Sequence, residues 1–326
     1  MTKVEAGAKT LTLADGTVMK YDALLLASGG AARPLEVPGA ELANVFTLRS
    51  FADSQAIMAA AREGARVVIV GASFIGMETA GSLSARGLHV TVAASGQAPF
   101  QGTLGPEIGR MFQQLWEENG VSFRLGARVA RLEGRNQVEA VVLDNGEKLA
   151  ADLVIAGVGI RPATEMLQGL PLNPDGSVTV DEHLRVAEDL YAAGDIARFP
   201  DWRTGELIRI EHWRLAMQHG RVAAHNMAGK KTAFRDVPFF WTERLDIHFE
   251  YAGYGRDWDE IIYQGDPASR NFLAFYVKNQ RVLAVAACQH GQEMTAIIEL
   301  MRRDHLPAVG ELRQGPVDFL QRLQEI

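Results

Sequence analysis

The stretch Arg66-Val-Val-Ile-Val-Gly71-Ala-Ser73-Phe-Ile-Gly76-Met-Glu78 governs the reading of this 326-residue chain. Val67 to Val70 has no polar position, as a strand buried on both faces of a parallel sheet requires. It turns through glycine directly into a segment with helical patterning up to Gly87, after which His89 to Ala94 is again apolar and extended. Gly71 permits a tight turn, and Gly76 lets the helix pack closely on the strand. The backbone N–H groups at the start of the helix can hold a pyrophosphate. Ser73 stands where another glycine would let the backbone touch the phosphates, and its hydroxyl can donate a hydrogen bond in compensation. Strand, turn, helix and second strand together predict a dinucleotide-binding unit over Arg66 to Ala94.

Such a unit usually ends its second strand on an acid that binds the adenosine ribose hydroxyls. Here the sequence is Val92-Ala-Ala94-Ser95, with no acid. No Arg or Lys lies between Ala94 and Thr103 to receive the phosphate of NADP instead. The choice between NAD and NADP therefore stays open at this level.

Outward from this unit, strand and helix alternate. Tyr21 to Ala27 reads as a strand buried on both faces and stops at Ser28-Gly29. Ser50 is a good N-cap for a helix through Arg62, and Gly105 to Asn119 is helical with Asn119-Gly120 as its stop. Short strands follow from Val121 to Val158, with a turn at Asp144-Asn145-Gly146. At the N-terminus, Thr10 to Val18 alternates around Asp15-Gly16 as a hairpin does. Leu190 to Ala193 is a short strand ending in Gly194-Asp195, and Glu211 to Gly229 is helical. Beyond Arg235 the texture changes: Phe239 to Tyr254 and Asn271 to Ala287 read as antiparallel strands, and Met294 to Asp304 as a closing helix. The order predicts a doubly wound α/β architecture followed by a smaller α+β domain.

Bulk properties narrow the function. The chain has 47% hydrophobic and 22% charged residues, with a mean hydropathy of -0.04, which suits a globular protein with sizeable cores. Its net charge is -7 and its pI about 5.7, without a dense basic run, which argues against nucleic acid as a partner. No apolar stretch reaches the length of a membrane span and Met1 to Thr10 has no signal-like core, so a cytoplasmic location is expected. The single cysteine, Cys288, excludes a Cys-x-x-Cys redox pair and reads as a small buried residue on the strand from Val282. His212, His219 and His225 share one helix at spacings that do not surround a metal ion, and no metal site is expected.

Other segments carry weaker signals. The small residues of Leu190-Tyr-Ala-Ala-Gly194-Asp195 let a ligand approach the backbone, and the carboxylate of Asp195 can accept hydrogen bonds from sugar-like hydroxyls. The helix that follows Glu211-His212-Trp213 presents a positive N-terminal end, suited to negative charge on a reduced flavin.

Tyr21-Asp-Ala-Leu-Leu-Leu-Ala-Ser28-Gly29, Gly71-Ala-Ser-Phe-Ile-Gly-Met-Glu78, Gly157-Val-Gly159-Ile-Arg-Pro162, Tyr191-Ala-Ala-Gly-Asp195 and Val237-Pro-Phe-Phe-Trp241 follow one another in a familiar order. In this the chain resembles the pyridine-nucleotide flavoprotein reductases along nearly its whole length. Ala72 to Glu78, His212-Trp213 and Tyr251-Ala-Gly-Tyr-Gly255 are similar to the ferredoxin-reductase branch that includes apoptosis-inducing-factor-like proteins with a Rieske domain.

The resemblance implies glutathione-reductase-like FAD- and NAD(P)-binding domains with a C-terminal reductase domain. A partial FAD-binding domain would comprise residues 1–50 and 161–235, an NAD(P)H domain residues 51–160, and the reductase domain residues 236–326. Hydride would pass from NAD(P)H to FAD and electrons singly to a ferredoxin or Rieske-type iron-sulfur protein. Glu78 would lie near the nicotinamide, and Gly71, Ser73, Phe74, Ile75, Gly76, Ala94 and Gly159 would bind the nicotinamide cofactor. Ser28, Gly29, Gly194, Asp195, Glu211, His212, Trp213 and Trp241 would bind FAD, with Asp195 on the ribityl chain and Trp241 beside the flavin ring. Members of this family begin with another strand, glycine turn and helix that bind the ADP half of FAD, and Met1 falls beyond it. The expectation is that upstream sequence or a partner chain supplies that segment. The rival is a non-catalytic nucleotide-binding or interaction protein that keeps the fold without electron transfer.

Overall fold

The computed structural model describes residues 1–245 and 247–326. The chain forms two compact units, one of residues 32–160 and one of residues 1–31 with 161–326.

The first unit is built on a five-stranded parallel sheet. Its order is Val45–Thr47, Leu153–Ala156, Arg66–Val70, His89–Ala94, Ser122–Leu125. Arg66–Val70 is central, and its four apolar residues are buried, as their unbroken hydrophobicity predicts. Helix Phe74–Ser84 follows at once. A Cβ on Gly76 would lie 2.2 Å from the carbonyl oxygen of Gly71, so only glycine allows this helix to sit so near the turn. Helix Pro106–Glu118 buries Ile108, Met111, Phe112, Leu115 and Trp116, a stripe at helical spacing. The Trp116 indole donates to the carbonyl of Met77 at 2.9 Å and ties the two helices together. Ser50 and Asp53 form the capping box of helix Phe51–Ala60, which stops two residues short of the expected Arg62. A small antiparallel sheet, Val129–Glu133, Ala140–Leu143 and Lys148–Ala150, turns at Gly146 as anticipated.

The second unit contains several small sheets and a larger antiparallel one. Near the N-terminus, Lys3–Glu5, Thr10–Thr12 and Val18–Lys20 form an antiparallel sheet around the Asp15-Gly16 turn. The strand expected over Tyr21 to Ala27 is shorter, Leu24–Leu26, and only Leu26 is fully buried. It lies at the edge of a three-stranded sheet, where it pairs in parallel with Leu190–Ala192 alone. One-sided pairing leaves Leu24 and Leu25 partly covered. Leu26, Leu190, Ile196, Phe199, Leu215 and Val222 are among the residues of the core beneath.

Downstream, five antiparallel strands stand in the order Phe239–Arg244, Ile247–Gly253, Arg281–Cys288, Asn271–Lys278, Glu260–Asp266. Helices Gly291–Arg302, Val309–Gln314 and Phe319–Gln324 pack on this sheet around Phe275, Ile297 and Phe319. Cys288 is buried at the end of its strand. No helix among the described residues is long and apolar enough to cross a membrane.

Candidate functional site

The C-terminal edge of the parallel sheet opens onto a cleft of about 580 Å³, where open α/β sheets bind ligands. Gly71, Ser73, Phe74, Ala94 and Gly159 all line it. The turn is held by two backbone bonds: Gly71 N–H donates to Ala93 O, and Gly157 N–H donates to Val70 O, each at 2.8 Å. Gly71 has φ of +108°, and a Cβ there would meet Gly157 O at 2.4 Å. Both the backbone conformation and the approach of the neighbouring strand thus demand glycine.

Ser73 is the N-cap of helix Phe74–Ser84, but its hydroxyl makes no capping bond. It donates instead to Gly157 O at 3.2 Å. The side chain expected to reach a phosphate therefore braces the turn against the adjacent strand. Phe74 stacks on Phe100 with ring centroids 4.6 Å apart, forming an apolar wall. Gly76 is buried under the turn, and Ile75 is exposed. Glu78 is exposed one turn along the same helix, outside the lining of the cleft. The lining also contains Arg128. A search for cations confined to residues 94–103 misses it, because Arg128 arrives on the loop after the neighbouring strand.

A second cluster forms within the other unit. Leu24–Leu26 and Leu190–Ala192 run parallel, and Ala193 N–H donates to Leu26 O at 3.0 Å. Ser28-Gly29 and Gly194-Asp195 thereby leave the same edge of one sheet. Ser28 Oγ donates to Ala163 O at 2.6 Å. Gly194 N–H donates to Nδ1 of His219, at 3.3 Å. His219 is fully buried, set edge-on to Phe199 and Phe234 with centroids 4.6 Å away in each case. Burial pulls its pKa from 6.5 down to about 4, so the ring is neutral at pH 7.

Asp195 lies in a short 3₁₀ turn, and its carbonyl accepts from Arg209 at 3.0 Å. Arg209 also bonds Asp175 at 2.9 Å and Glu211 at 2.8 Å, which anchors the loop between Asp195 and the helix. That helix is Trp213–Met227, so Glu211 and His212 precede it rather than belonging to it. His212 is its N-cap, and Nδ1 accepts from Arg214 N–H at 3.3 Å. Burial, and then the Arg214 charge, lower the His212 pKa and favour the neutral ring.

Trp213 packs edge-on to Trp241 with centroids 5.8 Å apart, and Phe239 stacks on Trp241 at the same distance. Trp213 is 61% exposed and Trp241 37%. The packing of His212 against Trp213 and Trp241 was not legible from sequence spacing, since Trp241 comes from a different sheet. The donor set fits a flavin: Asp195 offers a hydroxyl acceptor, the helix N-terminus offers positive potential, and the tryptophans offer flat apolar faces.

A doubly wound α/β unit with a glycine-turn cleft, joined to a reductase-type antiparallel sheet, defines the class of nucleotide-binding oxidoreductase folds. The comparisons agree. Residues 1–220 match the family described as pyridine nucleotide-disulphide oxidoreductase, and residues 239–321 match the reductase C-terminal domain. The chain belongs to the pyridine nucleotide-disulphide oxidoreductase family. It is 35% identical to human apoptosis-inducing factor 3 over 91% of its own length and 50% of that protein. It thus spans about half the length of this relative. Putidaredoxin reductase of Pseudomonas putida is 31% identical over 94% of this chain and 74% of its own. Among solved structures, the covalent putidaredoxin reductase–putidaredoxin complex superposes with a TM-score of 0.91 at 28% identity, covering 99% of this chain and 79% of that one. These 326 residues contain a single cysteine, Cys288. Burial pushes the Cys288 thiol up to about 11, which keeps it protonated and unreactive.

Proposed function

We propose that the protein is an NAD(P)H-dependent FAD oxidoreductase of the ferredoxin-reductase kind, delivering electrons to a ferredoxin or Rieske-type iron-sulfur protein. The observation that carries this reading is the cleft over Gly71, walled by Phe74 and Gly159. Residues 51–160 would bind NAD(P)H, residues 1–50 and 161–235 part of FAD, and residues 236–326 would form the reductase domain. Bound FAD supplies the exchange between two-electron hydride chemistry and one-electron transfer.

A few named residues would have binding or orienting tasks on that reading. Gly71 and Gly76 bring the start of helix Phe74–Ser84 close enough for its N–H groups to hold the pyrophosphate. Glu78, exposed on that helix outside the cleft lining, would sit near the nicotinamide end only where the cofactor extends beyond the cleft. Asp195 accepts from a ribityl hydroxyl, and His219 fixes the adjoining Gly194 peptide. His212 caps the helix whose N-terminal potential would favour negative charge on bound flavin, and Trp241, packed against Trp213, would flank the flavin ring. The ADP half of FAD would be held by a segment from upstream sequence or from a partner chain. Putidaredoxin reductase, whose structure with putidaredoxin this fold matches, motivates the choice of an iron-sulfur acceptor.

The test is to express the gene with its in-frame upstream region and purify the product. It should be yellow and oxidise NADH or NADPH with ferricyanide. A colourless, inactive product overturns the proposal. Nicotinamide binding without flavin retention would point to a non-catalytic nucleotide-binding protein.

A further inference from the structure

Among the described residues, Arg128 is the single ionisable side chain in the lining of the nucleotide cleft. Its position is created by tertiary structure. Strands His89–Ala94 and Ser122–Leu125 are parallel neighbours with Ala94 opposite Leu125. Gly126 N–H then donates to Gly96 O at 2.9 Å, so the loops following the two strands leave the sheet side by side. Arg128 is pinned through its backbone: its N–H donates to Asp144 Oδ1 at 3.1 Å, and its carbonyl accepts from Asp144 N–H at 2.8 Å. The guanidinium has no carboxylate partner among the described residues. Its neighbours Arg124 and Arg131 are instead neutralised, by Glu147 and Glu133, at 2.6 Å each.

In a strand–turn–helix dinucleotide site the adenosine ribose lies just beyond the end of the second strand, here Ala94-Ser95. An acid at that point binds the 2′- and 3′-hydroxyls and repels a 2′-phosphate. Ala94 removes the repulsion, and among the described residues no carboxylate lines the cleft. Arg128 brings a planar cation able to bind a phosphate bidentately, and Ser95 adds a hydroxyl donor to the same cleft lining. We propose that Arg128 binds the 2′-phosphate of NADPH and makes this protein select NADPH over NADH. The inference rests on the nucleotide-binding reading of the cleft.

Isothermal titration of this chain with NADP⁺ and NAD⁺ tests it without reference to flavin or activity. NADP⁺ should bind at least about tenfold more tightly than NAD⁺. Arg128→Ala should weaken NADP⁺ by about 10- to 100-fold, the loss of a charge-assisted phosphate contact, and NAD⁺ by less than about threefold. Ala94→Glu, which leaves Arg128 in place, should reverse the preference by repelling the phosphate. Equal or tighter binding of NAD⁺ to the wild-type chain overturns the inference while leaving the cleft a nucleotide site. Equal losses for both ligands in Arg128→Ala, or NADP⁺ affinity undiminished in Ala94→Glu, overturn it likewise. Binding of neither nucleotide overturns both readings.

Discussion

His219→Gln isolates what a buried neutral imidazole does for this fold. The ring is fully buried, accepts the Gly194 N–H, and touches two phenyl rings edge-on. Glutamine keeps an acceptor within reach of Gly194 but loses the two ring contacts, costing about 1–3 kcal/mol at pH 7. The larger effect is on pH dependence. The folded pKa, about 4, lies below the usual 6.5, so the unfolded chain takes up a proton that the folded chain refuses. Stability is therefore complete above pH 6.5 and falls as pH drops toward 4, below which the loss levels off. At pH 4.5 the loss from this one group is about 2.5 kcal/mol, two pH units at about 1.36 kcal/mol each with a small correction for partial protonation of the folded state. Urea unfolding read by hydrogen exchange of peptides within residues 190–227 reports on this unit separately from the other. Between pH 7 and 4.5 the wild type should lose about 2.5 kcal/mol more than His219→Gln. Parallel losses in the two proteins would refute the argument that the buried ring stays neutral.

Other outcomes follow from single contacts. Gly76→Ala sets a methyl 2.2 Å from Gly71 O; it should destabilise the nucleotide unit by about 1–3 kcal/mol in urea unfolding and weaken NAD(P)⁺ at least about tenfold by titration calorimetry. Asp175 is pushed up by burial, but hydrogen bonds from Ser177, Arg209 and Arg198 outweigh this and hold it well below the usual carboxylate range. Asp175→Asn should cost about 2–3 kcal/mol at pH 7. Because the folded pKa is the lower one, the wild type should also lose stability as pH falls below about 4, a loss the variant lacks. Cys288, buried with its thiol raised to about 11, should resist iodoacetamide in the native protein at pH 8 and react on addition of urea, as mass spectrometry would show.

Legibility from sequence tracked how local the physics was. The strand Arg66–Val70, its glycine turn and helix Phe74–Ser84 appear where the sequence placed them, since unbroken burial, positive φ and helix packing are properties of adjacent residues. The Pro106–Glu118 stripe was equally plain. The edge strand Glu260–Asp266 was missed, because its half-buried positions show no clear alternation. The helices Val309–Gln314 and Phe319–Gln324 span six residues each, too few for a periodic pattern to stand out.

By itself, then, the sequence determined a doubly wound nucleotide fold, because Gly71 and Gly76 answer to constraints within a single turn and helix. Tertiary structure alone decided which side chains share a site. Parallel pairing of two strands brought Arg128 into the same cleft lining as Ala94 and Ser95, and folding of a separate sheet put Trp241 against Trp213. Register between strands distant in sequence, rather than any local pattern, sets those meetings, and the charge at the adenosine end of the cleft depends on them.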